Sequence, residues 1–136
     1  MIPIILTWIL RLLVGGVLLV TGIGKLLDVP GFEKILETYQ AFPHTMLPFL
    51  AVGFVLAELK VAEMILSSRW RGGALASTAL HLIFTMGTAA TWYRGINIPN
   101  CGCFGVFWAR PLTLQTVIED LVMFLLSAFL YFLGRH

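Results

Sequence analysis

Charged side chains are scarce: Lys, Arg, Asp and Glu make up 12% of the 136 residues against 59% apolar, and the mean hydropathy is +0.92. That balance excludes an ordinary soluble domain. The few Lys and Arg are scattered, and a formal charge of +2 without a basic tract argues against nucleic acid as a partner. Cysteine is almost missing, with Cys101 and Cys103 alone, and the three histidines are dispersed at His44, His81 and His136. A metal site needs three or four converging ligands, so no metal is expected. There is no repeat, low-complexity segment or linker. One membrane crossing takes roughly 20 apolar residues as helix. Four crossings with short connections use nearly the whole chain, which reads as one membrane domain over 1–136.

The expected fold is an all-α integral membrane protein: a four-helix transmembrane bundle with spans at about 4–27, 46–66, 74–93 and 112–133. The first span could pass for a signal peptide, but its length and the lack of an Ala-x-Ala cleavage pattern favour a retained helix. In it Arg11, Gly15, Leu18 and Gly22 share a face, so small residues that permit close packing lie beside a charge directed into the bundle. The alternative is that Arg11 snorkels to the near interface. Between the first two spans, 28–42 is too polar and short to cross. Phe32, Ile35, Leu36 and Tyr39 on one side and Glu33, Lys34, Glu37 and Gln40 on the other predict a short interfacial amphipathic helix.

The second span carries Glu58, Lys60 and Glu63, each costly in hydrocarbon. Glu58 shares its face with Ala51 and Ala62 and is therefore directed inward, whereas Glu63 is near the helix end. Residues 67–73 form a basic, Trp-containing turn. The third span has a polar line of Ser77, His81, Thr85, Thr88 and Trp92, and the fourth, opening after Arg110-Pro111, has Thr113, Thr116, Asp120, Ser127 and Tyr131. Arg11, Glu58, His81 and Asp120 are thus candidates for one intramembrane polar cluster, which serves either as an interhelical clamp or as a proton-handling site.

Lys and Arg divide evenly between the two sides, so the positive-inside count does not fix orientation. Asp28, Glu33 and Glu37 share the cysteine side, and a paired thiol motif stays oxidised only in an oxidising compartment. Both features favour cytoplasmic termini and an external Cys101–Cys103 loop. A disulfide closed across one residue is a small strained ring, and strain makes a bond easier to reduce. As a staple it would remove little chain entropy, which leaves redox exchange or mere shaping of the loop. Arg94 and Arg110 flank the pair and could favour the thiolate, the species that attacks.

Cys101-Gly102-Cys103-Phe104-Gly105 followed by Pro111-Leu112-Thr113 and the Glu119-Asp120 pair resembles the MauE family of DoxX-like membrane proteins. Gly22-x-Gly24-Lys25-Leu26 and Glu58-Leu59 are similar to the same pattern, although Ala62 stands where Gly is common. The resemblance covers essentially the whole chain. It implies a bundle in the bacterial inner membrane, associated with disulfide formation or thiol redox maturation of exported proteins, often beside a thioredoxin-like partner.

The chemistry this suggests is thiol–disulfide exchange at Cys101 and Cys103 with an exported thioredoxin-like protein or thiol client. With no second cysteine pair, electrons must pass directly to a membrane quinone or another protein. Trp92, Trp108, Phe104 and Phe107, with Arg94 or Arg110, are the expected quinone-binding residues; interfacial anchoring is the alternative for such aromatics. Two other classes stay open. One is a non-catalytic scaffold that docks a periplasmic redox protein, and the other a proton-coupled carrier using the intramembrane charges.

Overall fold

The computed structural model describes residues 2–96, 98–101 and 110–134. The chain is all-helical among these residues. α1 (Ile2–Leu26) is followed by the short α2 (Val29–Thr38), a single 3-10 turn at His44–Met46, then α3 (Leu47–Ile65), α4 (Trp70–Tyr93) and α5 (Leu114–Leu133). The four long helices are each long and apolar enough to cross a membrane. Their outward sides carry half-exposed or more exposed apolar residues such as Leu12, Phe49, Leu56, Met86 and Phe132, a surface suited to lipid rather than water. The protein is a multi-pass membrane bundle.

In α1 the buried residues Leu10, Arg11, Val14, Leu18, Thr21 and Lys25 recur every three or four positions, which makes one inward stripe. That stripe packs along α3; α3 also meets α4, α4 lies along α5, and α5 returns to α1. α1 and α3 come close together at Gly22, where a Cβ would lie 2.8 Å from the tip of the Leu59 side chain. Leu10, Val14, Leu18, Val61, Ala62, Ile65, Ala74, Leu80 and Leu130 form the main apolar core.

α2 ends earlier than the amphipathic pattern predicts, at Thr38, because Gln40 takes a left-handed φ of 53° that breaks the helix. Asp28 caps its start, the carboxylate accepting from the Gly31 N–H at 3.0 Å. Its apolar face is turned to protein: Phe32 and Leu36 are buried with Leu47, Ala51 and Val55 of α3. α4 begins at Trp70, four residues before the expected start. Gly72 and Gly73 there are helical, and the absence of a side chain at Gly73 lets α4 leave the end of α3 in contact, since a Cβ would lie 2.8 Å from the Ile65 backbone nitrogen.

One end of the bundle gathers the start of α1, the α3–α4 turn and the end of α5, with Gly134 packed against Trp70 and Arg71. The other end holds α2, Cys101 and the start of α5. There the segments 98–101 and 110–112 run side by side, the Cys101 N–H donating to the Arg110 carbonyl at 2.7 Å and the Leu112 N–H to the Ile98 carbonyl at 2.9 Å.

Candidate functional site

Cys101 is buried with Ile98 and Leu112, against Tyr39 and Ile96. Its peptide is held from both sides: the N–H is bonded to Arg110, and the carbonyl accepts from the Tyr39 hydroxyl. Tyr39 is itself positioned by Arg94, whose guanidinium donates to the Tyr39 and Gln40 carbonyls at 3.2 and 3.3 Å. The turn after α2 thus sets the position of the first cysteine, although more than 60 residues separate them in sequence. Arg110 pairs with Glu119 one turn into α5, at 2.7 Å.

Behind Cys101 a cavity of about 740 Å³ runs into the bundle. Phe32, Leu36, Phe42, Phe54, Phe84 and Met123 give it mostly apolar walls, and Cys101, Tyr39 and Arg110 lie at the outer end. Deeper, it is lined by Lys25, Glu58, His81, Thr88 and Asp120. Lys25 Nζ is 2.6 Å from Glu58 Oε1, with both side chains buried, and the ammonium stands 5.2 and 5.1 Å from the ring centroids of Phe32 and Phe84. Such contacts offset part of the cost of taking the cation out of water. Glu58 Oε2 has no hydrogen-bond partner among the described residues. Asp120 accepts from the Thr88 hydroxyl at 3.1 Å. His81 Nδ1 lies 2.9 Å from the Ser77 carbonyl, which can only accept, so Nδ1 carries the proton and a neutral ring leaves Nε2 as acceptor. Ser77 also bonds Ser127 of α5 at 2.7 Å.

Comparison with known proteins gives a consistent picture. The family model described as methylamine utilisation protein MauE matches residues 4–133. The chain belongs to the MauE family. It is 25% identical to the methylamine utilization protein MauE of Paracoccus denitrificans over 89% of this chain and 65% of that protein. It is also 27% identical to protein TlpB of Flavobacterium psychrophilum over 94% of this chain and 37% of that one. The chain therefore spans less than two thirds of the length of either relative. No solved structure matches it.

The MauE-family bundle does not assemble the expected polar group as a whole. Glu58, His81 and Asp120 line one cavity, but Arg11 is held elsewhere. Its guanidinium donates to the Ile65 carbonyl at 2.9 Å and the Ser67 carbonyl at 2.8 Å, satisfying the open end of α3, and it packs against Trp8 and Trp70. That site is about 21 Å along α1 from Lys25 at 1.5 Å rise per residue. The cation that pairs with Glu58 is Lys25. Its signal was present: the stripe of Arg11, Gly15, Leu18 and Gly22 continues to position 25 at helical spacing. Lys60 and Glu63 pair with each other, and Glu63 with Arg69, at the exposed surface of the terminal end. Trp92 is half-exposed and does not line the cavity. Arg94 braces the turn after α2. Cys103, Phe104, Phe107 and Trp108 lie outside the described residues.

Proposed function

We propose that this MauE-family chain is a membrane thiol–disulfide oxidoreductase, with Cys101 and Cys103 exchanging a disulfide with dithiols of exported proteins and a membrane quinone serving as electron-accepting co-substrate. One observation carries the reading: Cys101, at the outer end, and the buried Lys25, Glu58, His81 and Asp120 line a single apolar cavity. A redox-active sulfur thereby shares a water-poor compartment with groups able to hold or donate protons. Family membership supports it through the thiol redox maturation that the resemblance implies.

The exchange balances as follows. A thiolate of the client attacks one sulfur of the Cys101–Cys103 disulfide, the other cysteine leaves as thiolate, and the second client thiol resolves the mixed disulfide. Two electrons and two protons pass to the cysteine pair. A quinone accepts two electrons and two protons, which is the stoichiometry needed to restore the disulfide. The chain's own contribution is to fix Cys101 between Arg110 and Tyr39, to exclude water with its aromatic walls, and to keep protonatable groups within the cavity. In this reading the cysteine end faces outward and both termini are cytoplasmic, in a bacterial inner membrane, where exported thioredoxin-like partners are accessible.

The test is electron transfer by the full chain in quinone-containing liposomes, with a reduced thioredoxin-like protein as donor and quinol formation followed by ultraviolet absorbance. Wild type should turn over, and Cys101→Ser and Cys103→Ser should each lower the rate at least a hundredfold. Undiminished transfer in both variants would refute the oxidoreductase reading.

A further inference from the structure

The Lys25–Glu58 ion pair is buried deep in the bundle, and burying it is costly. Two charges are withheld from water, each at a penalty of several kcal/mol before pairing. A structural clamp would normally satisfy every lone pair, yet Glu58 Oε2 is left without a partner among the described residues while its side chain is 1% exposed. Lys25 has three donors, and Glu58 Oε1 takes one of them. Donor capacity and acceptor capacity therefore sit side by side on the wall of a cavity whose volume falls in the range that holds small ligands.

The cavity's chemistry narrows the occupant. Its wall extends to Ile83, Met86, Ile118 and Val122, apolar residues that are about half-exposed on the lipid-facing exterior, so a molecule dissolved in the bilayer can reach it. Three carboxyl side chains on the wall, Glu58, Glu119 and Asp120, outnumber its two cations, Lys25 and Arg110. That balance disfavours an anionic lipid headgroup or a fatty acid. A neutral, planar ring with carbonyl oxygens suits the site: the oxygens accept from Lys25, and the ring fits among Phe32, Phe54 and Phe84, the last two with centroids 5.6 Å apart.

We infer that Lys25 and Glu58, with Asp120 and His81 across the cavity, form the headgroup site for an isoprenoid quinone, at a depth in the bundle removed from the Trp92 and Arg94 end of α4. This rests on the oxidoreductase reading for its purpose but not for its test. Reduction of a quinone adds one proton at each oxygen. The cysteine pair releases two protons as it closes to a disulfide, and Glu58 and Asp120 on the cavity wall are the carboxylates that take them up in turn and pass one to each quinone oxygen, each returning to its ionised form. Electrons and protons then balance: one dithiol and one quinone give one disulfide and one quinol.

Binding is measured directly, by titrating ubiquinone-1 into the detergent-purified full chain, and mapped by photo-crosslinking with an azido-ubiquinone followed by peptide mass spectrometry. Glu58→Gln should raise the dissociation constant at least tenfold, and Val52→Ala on the lipid-facing side of α3 should leave it unchanged. Because Lys25→Met alone strands a carboxylate and can unfold the bundle, the neutral pair Lys25→Met/Glu58→Gln is the second variant, and it should also lose at least tenfold while keeping a cooperative thermal transition. Crosslinks should fall within 21–25, 54–58 and 84–88. Wild-type affinity in both variants, or crosslinks confined to 92–96, would overturn the site. If Cys101→Ser stops electron transfer while the Glu58 variants bind quinone normally, the site assignment fails and the oxidoreductase reading stands. Quinone binding that depends on Glu58 together with turnover that ignores both cysteines would fail that reading and leave the site.

Discussion

Lys25 and Glu58 show how a residue's meaning changes once its partner is known. Breaking a buried ion pair from one side is much worse than replacing both members, because the survivor is left as an uncompensated charge. Lys25→Met is accordingly expected to cost about 3–5 kcal/mol, and Lys25→Met/Glu58→Gln less than half of that, in denaturant unfolding of the detergent-solubilised protein. If the two losses are equal, the pair is not coupled. Tyr39 is a subtler case. Tyr39→Phe removes the donor to the Cys101 carbonyl and should destabilise locally by about 1 kcal/mol. Faster amide hydrogen exchange at Cys101 and Leu112, with exchange in α3 unchanged, would identify the effect as loosening of the cysteine anchor.

At the scale of helices, the bundle depends on where side chains are absent. Gly73 lies against the backbone of Ile65, which cannot rotate aside as a flexible side chain can, so Gly73→Leu should force α4 away from α3. The expected cost is about 1–3 kcal/mol, read as a lower thermal midpoint. Gly53, by contrast, has open space where a Cβ would go and sits on the exposed side of α3. Gly53→Ala should stabilise by about 0.5–1 kcal/mol through the lower backbone entropy of the unfolded chain. A loss of stability there, or none at Gly73, would contradict the packing described. α2 belongs to this scale as well. It is too short to span, and burying Phe32 and Leu36 on α3 contributes to its order.

For the molecule as a whole, the polarity of the bundle is the testable property. The start of α1 and the end of α5 meet at one end, and Cys101 stands at the other. The proposed orientation predicts a fluorescent C-terminal green fluorescent protein fusion and an active alkaline phosphatase fusion after Arg94 in the same bacterial host. The reversed pair of signals would place the cysteines in the cytoplasm and remove the exported client from the proposed function.

Hydropathy and helical spacing by themselves determined the four crossings, the short amphipathic helix, the inward stripe of α1 and the inward direction of Glu58, His81 and Asp120. These follow from periodicity, which each helix carries in its own residues. Only the tertiary structure decided which charge meets which. Arg11 and Lys25 lie on one stripe of α1, and the choice between them as partner of Glu58 depends on how α1 slides along α3, a register set by close contacts such as Leu59 on Gly22. The same holds for Cys101: its motif is plain in the chain, but its anchoring by Tyr39 and its place on the cavity that reaches Lys25 arise from contacts between segments far apart in sequence. Local pattern fixes which way a side chain points, and packing fixes what it finds there.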